Sequence, residues 1–163
     1  MTKAHSLRLS EKGLKFIKTH TDYYPEVRLS PEGVPLIGYS HAGREVKVAD
    51  VDELKIIEEK ASALLEDDLK PVEHLVNLLV RIRLKQCQYD ALIDYVWTVG
   101  VQRFHKSELL KALNAGQFLR AAELIRSSTL AGRESEAMLR GRREAEAKLF
   151  NGMWQTQGTK GEE

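Results

Sequence analysis

The sequence predicts an α+β chain that is mainly α, with a small N-terminal β region and a larger helical part, and three observations carry that expectation. Apolar residues recur at three- and four-residue intervals from about residue 51 to 150. A turn-rich stretch broken by Pro25, Pro31, Gly33, Pro35, Gly38 and Gly43 precedes them, and a short helical pattern at Leu9–His20 comes before that stretch. At 163 residues the chain is long enough to bury a core without disulfides or a structural metal. A hydrophobic fraction of 42% beside 30% charged residues belongs to a soluble folded protein and sets aside disordered and membrane classes. The expected organisation is a single domain over residues 1–150, followed by a polar tail over 151–163. Within it a β-containing lobe covers about 21–50, and a helical lobe takes about 51–150 together with the first helix, 9–20.

In the first helix Ser10 is placed to cap the start, Leu14, Phe16 and Ile17 supply an apolar face, and Gly13 costs about 1 kcal/mol relative to alanine. Leu54, Ile57, Ala61, Leu64 and Leu65 form the stripe of the next helix, and Leu75, Leu78, Leu79 and Ile82 continue its face. Pro71, between them, either starts a new helix at its first turn or kinks a long one. Further helices are expected at about Lys85–Thr98, Ser107–Asn114, Phe118–Ser127 and Glu134–Phe150, with stops at Gly100 and at Asn114–Gly116. The tail Gln155–Glu163 lacks apolar spacing and is expected to fray.

Net charge is +1, but residues 1–80 carry 11 Lys/Arg against 14 Asp/Glu, whereas 101–150 carry 10 against 6. An excess that small fits a solvated helical surface better than a nucleic-acid face. Cys87 is the only cysteine, so no intrachain disulfide forms, and a packed thiol is the expectation. The five histidines show no close ligand spacing and no metal or cofactor is expected; Gly38–Gly43 lacks the strand-loop-helix setting of a phosphate loop. Met1–Leu9 has no apolar run of signal-peptide length and no later segment reaches membrane-spanning length. The expectation is therefore a protein cytoplasmic as synthesised, reaching periplasm or virion only with outside help.

Leu9-Ser10-Glu11-Lys12-Gly13-Leu14 with Ile17-Lys18, then Ile37-Gly38-Tyr39-Ser40-His41, then Leu84-Lys85-Gln86-Cys87-Gln88-Tyr89-Asp90-Ala91-Leu92 occur in order. Trp97-Thr98-Val99-Gly100, Phe104, Leu109-Leu110, Leu113-Asn114-Ala115-Gly116, Arg142-Arg143-Glu144-Ala145-Glu146 and Leu149-Phe150 follow. Together these segments, spanning about residues 9–150, resemble the phage-type lysozymes (endolysins) of glycoside hydrolase family 24. The resemblance implies a lysozyme-like fold and muramidase chemistry on the β-1,4 linkage of peptidoglycan. It also implies a catalytic Glu-Gly pair closing the first helix, an Asp nine positions after the Glu, and a Thr opening a Thr-Ile-Gly-Tyr-Gly-His run. Counting back from His41 without a gap puts Thr21 at the Glu position, Asp22 at the Gly, Ser30 at the Asp and Leu36 at the Thr.

Glycoside hydrolysis takes an acid to protonate the leaving oxygen and a carboxylate to activate water or stabilise the oxocarbenium-like transition state. Threonine is no general acid near neutral pH, serine carries no negative charge, and leucine neither donates nor accepts a hydrogen bond. The catalytic set is thus not intact. The expected function is a degenerate lysozyme-like module binding a peptidoglycan-like glycan or an unidentified protein partner, with Tyr39, His41 and Trp97 as substrate-binding residues. The alternative is an active muramidase with a relocated pair, Asp22 or Glu26 with Glu32. Each of these residues also has a plainer reading: surface charge for the acids, an internally hydrogen-bonded His41, and packing for Tyr39, Trp97 and Trp154. Arg142 and Arg143 read as either a cleft-facing pair or helix-surface charge.

Overall fold

The computed structural model describes residues 6–47, 49, 55–128 and 136–155, with the backbone alone at 136–138. Its elements are α1 (Glu11–Thr19), β1 (Tyr24–Leu29), β2 (Pro35–Gly38), α2 (Glu58–Leu79), α3 (Gln86–Val99), α4 (Val101–His105), α5 (Glu108–Asn114), α6 (Phe118–Ser127) and α7 (Glu136–Phe150). The chain separates into two compact units, Ile17–Val72 and the combination of Met1–Phe16 with Glu73–Glu163.

In the unit Ile17–Val72, β1 and β2 form an antiparallel hairpin with Arg28 opposite Leu36 and Leu29 opposite Pro35. Period-two alternation sends Val27 and Ile37 to one face, where they are buried with Val46 and packed by Ile56. Ile57, expected in the helical stripe, is instead 67% exposed. It precedes α2, so the helical period does not govern where its side chain goes.

Pro71 does not open a new helix: α2 runs through it for 22 residues. The missing amide and the ring clash cost about 3 kcal/mol, which burial of Leu65, Leu69, Val72 and Val76 at about 1.5–3 kcal/mol each offsets. The buried stripe of the second half of α2 is also rotated from the expected one. Val72, Val76 and, just past the helix, Val80 are buried, whereas Leu78 is 65% exposed.

In the other unit Ser10 caps α1 as expected, its hydroxyl accepting the Gly13 N–H at 3.0 Å. Helix α3 carries an unbroken buried run from Gln88 to Val96 and packs against α7, which also packs on α6. Gly100 ends α3 at φ 94°, and α4, which sequence spacing did not anticipate, starts directly after it with Phe104 buried. Ser107 caps α5 by accepting the Leu110 N–H at 3.1 Å. Gly116 at φ 72° closes that helix, its N–H bonded to the Leu113 carbonyl. Helix α6 matches its expected span. The start of the last helix before Glu136 and residues 156–163 of the tail expected to fray lie outside the described residues.

Candidate functional site

Thr21, Ser30 and Leu36 all belong to the unit Ile17–Val72, and each is half-buried. Thr21 lies beyond the end of α1, its N–H donating to the Lys18 carbonyl at 3.3 Å. Ser30 closes the hairpin: its N–H donates to the Val34 carbonyl at 2.8 Å and its hydroxyl accepts the Val34 N–H at 3.1 Å. Gly33, at φ 80°, lets the four-residue turn close behind it. Leu36 projects to the face opposite Ile37, across from Arg28, whose guanidinium lies 3.2 Å from the Tyr24 ring centroid.

The acids proposed as a relocated pair are set as follows. Asp22 is exposed and accepts from the Tyr24 hydroxyl at 3.4 Å. Glu26 pairs with Lys55 at 3.1 Å, beside a bridge between the same two residues. Glu32 is exposed in the hairpin turn.

Two carboxylate clusters escaped sequence reading. In the first, Glu58, in the opening turn of α2, accepts from Lys18 Nζ and from the Tyr39 hydroxyl, both at 2.9 Å. The hydrogen bond from Lys18, then that from Tyr39, holds the Glu58 carboxyl below the usual glutamate range. Burial and the Glu58 hydrogen bond push the Tyr39 phenol up to about 12. Tyr39 also packs on Tyr23, with ring centroids 5.4 Å apart, and Tyr23 donates to the Ile56 carbonyl.

In the second cluster His41 sits between two acids, Nδ1 2.8 Å from Asp68 and Nε2 2.6 Å from Glu45. Burial alone would lower the imidazole pKa; the hydrogen bonds to Asp68 and Glu45 outweigh it and raise the value above 6.5. The hydrogen bond from His41 in turn lowers that of Glu45. The i,i+4 spacing of His41 and Glu45 was visible in the sequence, whereas Asp68 and Glu58 arrive only through folding. The imidazole fills the space between Asp68 and Glu45, so a sugar ring and its attacking water find no room there.

Trp97 belongs to the other unit, at the end of α3, and is half-buried. The Arg142 guanidinium lies 5.9 Å from its ring centroid. That guanidinium is held by both oxygens of Asp94, with Nε 3.0 Å from Oδ2. Arg143 bonds Glu146 and the Thr98 hydroxyl. Arg143, Asp94 and Glu146 are each no more than 1% exposed, so Arg143 is neither a cleft-facing nor a surface charge. Burial would raise Asp94, but its hydrogen bond with Glu146 and the charge of Arg142 hold it low. Glu146 is pushed up by burial and by Asp94, against the pull of Arg143.

Of the three expected binding residues, Tyr39 and His41 are 7% and 9% exposed with their polar atoms engaged inside the fold, and Trp97 offers more open surface. Among the described residues no cluster of His, Cys, Asp and Glu is arranged to hold a metal ion, and no helix is long and apolar enough to cross a membrane.

Comparison with known proteins places this architecture. The endolysin of Salmonella phage P22 is 31% identical over 144 residues, covering 88% of this chain and 98% of that protein. The endolysin of Acyrthosiphon pisum secondary endosymbiont phage 1 is 34% identical over 148 residues, again covering 88% and 98%. A P22 lysozyme mutant superposes with a TM-score of 0.79 at 31% identity over 89% of this chain and 99% of its own. The muramidase domain of SpmX from Asticaccaulis excentricus gives 0.75 at 32% identity over 88% and 97%. The family profile described as Phage lysozyme matches residues 18–146, and with the helical bundle and two-stranded hairpin in place the chain belongs to the phage lysozyme family.

Proposed function

We propose that this family member has lost muramidase catalysis and binds peptidoglycan through its lysozyme fold. The observation that carries the reading is the replacement of acid, carboxylate and water-positioning residues together, by Thr21, Ser30 and Leu36 in the register counted from His41. The neighbouring acids support it. Glu26 is paired with Lys55, and Glu58 and Glu45, with lowered pKa values, are ionised near neutral pH and do not donate a proton to a leaving oxygen. Ser30 is spent on closing its turn. Trp97, half-buried at the end of α3, is offered as a glycan contact.

The relatives' names, endolysin and muramidase, favour the competing reading of an active muramidase acting on the same polymer. Clearing of outer-membrane-permeabilised cells separates the two, measured beside the triple variant Thr21→Glu, Ser30→Asp, Leu36→Thr. The expectation is no clearing by the unmodified protein, retention on purified peptidoglycan sacculi, and clearing by the triple variant. Clearing by the unmodified protein at the level of a phage endolysin overturns the proposal.

A further inference from the structure

Asp94, Arg143 and Glu146, buried between α3 and α7, and half-buried Arg142 beside them are more ionisable groups than a core needs. Ion pairs removed from water recover their desolvation only with good geometry, and apolar side chains of similar volume commonly do as well. What such a network supplies is position. Here two consecutive arginines of α7 grip the C-terminal half of α3 at separate points. Arg143 holds the Thr98 hydroxyl at 2.6 Å and lies 4.8 Å from the Tyr95 ring centroid. Arg142, bidentate on fully buried Asp94, carries its guanidinium 5.9 Å from the Trp97 ring centroid. Thr98 is itself fastened to the Asp94 and Tyr95 carbonyls at 3.1 and 3.0 Å, and Gly100 ends the helix two residues later. The indole thus belongs to a stretch of α3 that these charges clamp, with the Arg142 guanidinium 5.9 Å from its ring centroid, and it is half-buried after a run of buried α3 residues.

We infer that Asp94 and Arg142 are positioning residues that hold Trp97 as a stacking surface for an N-acetylated saccharide ring. This rests on the peptidoglycan-binding reading above and names the residues that would carry it. An indole fixed by a guanidinium loses little side-chain freedom when a ring stacks on it, and the C–H face of a sugar matches its flat apolar surface. Asp94 neutralises Arg142, so the platform presents little net charge and selects for shape rather than for an anion. A lysine at 142 would keep the charge and lose both the bidentate grip and the flat face.

The test uses the full chain carrying Trp154→Phe, so that Trp97 is the sole tryptophan. Acrylamide quenching of the unliganded protein and retention on purified peptidoglycan sacculi are measured for this parent and for Asp94→Asn, Arg142→Lys and Trp97→Leu. The expected result is at least tenfold weaker retention in all three, with increased quenching of Trp97 in Asp94→Asn and Arg142→Lys. Trp97→Leu leaves the ion pair in place and serves if the charge variants fail to fold. Retention of Trp97→Leu equal to the parent, or unchanged quenching and retention in a folded Arg142→Lys, overturns this inference and leaves peptidoglycan binding by another surface standing. No retention of the parent and of the unmodified chain overturns both.

Discussion

Gly13 lies directly against the carboxylate of Asp90: a Cβ placed on Gly13 would stand 2.6 Å from Asp90 Cγ. Asp90 is 2% exposed and accepts from the Ser10 N–H at 3.1 Å, from the Ser10 hydroxyl and from Gln86 Nε2 at 2.8 Å. The residue that weakens α1 by intrinsic propensity is the one that lets this buried acid reach the helix start. Gly13→Ala is therefore expected to destabilise the protein by about 1–3 kcal/mol, because the clash displaces Asp90 from its donors. Urea denaturation showing the stabilisation of about 1 kcal/mol that helix propensity alone forecasts would refute this.

Ser40 has φ 60°, in the left-handed region, between Gly38 at φ 64° and His41. A non-glycine residue there costs about 1–2 kcal/mol, part of which glycine returns as lost chain entropy. Ser40→Gly should raise stability by roughly 0.5–1 kcal/mol, read as a higher urea midpoint at unchanged slope. Gly38 behaves oppositely. Its Cβ would lie 2.8 Å from that of Ala61, and Gly38→Ala should lower the midpoint.

The His41 clasp makes stability pH-dependent in a defined sense. His41 has a folded-state pKa above 6.5, so its contribution is complete below that value and fades as pH rises through the folded-state pKa. Glu45 has a folded-state pKa below 4.5, so its contribution is present above 4.5 and fades as pH falls through the folded-state value. The stability difference between the unmodified protein and His41→Gln should be largest between these limits and shrink on the alkaline side. Titration of His41 by NMR in Asp68→Asn should give a lower pKa than in the unmodified protein.

Arg143 and Glu146 test how the buried charges behave energetically. Arg143→Ala leaves Glu146 buried without its cation and should cost about 3–5 kcal/mol, whereas the paired replacement Arg143→Met with Glu146→Leu should come far closer to neutral. Equal losses in the single and double variants, measured by chemical denaturation, would contradict this account.

Much of the scaffold was legible because its signals are local. Ser10 and Ser107 cap helices, Gly100 and Gly116 end them, and α6 follows its expected span, since capping and left-handed glycine act within a few residues. In the first half of α2 Ala61 and Leu65 are buried as expected, but in the second half burial falls on Val72 and Val76, and on Val80 just past its end, rather than on Leu78, because which side of a helix is buried depends on what packs there. Arg143 looked like possible surface charge because its partners, Thr98 and Glu146, come from two different helices.

By itself the sequence determined the order of the first helix, the small β region and the later helices, several helix ends, and the residue types at positions 21, 30 and 36. Those are properties of the covalent chain and of contacts within a few residues. Only the tertiary structure decided that Ser30 is used to close a turn, that Asp68 and Glu45 clasp His41, and that Asp94 and Arg142 stand beside Trp97. Most of those contacts join side chains far apart along the chain. Their strength depends on burial and distance, neither of which a linear string of residues specifies.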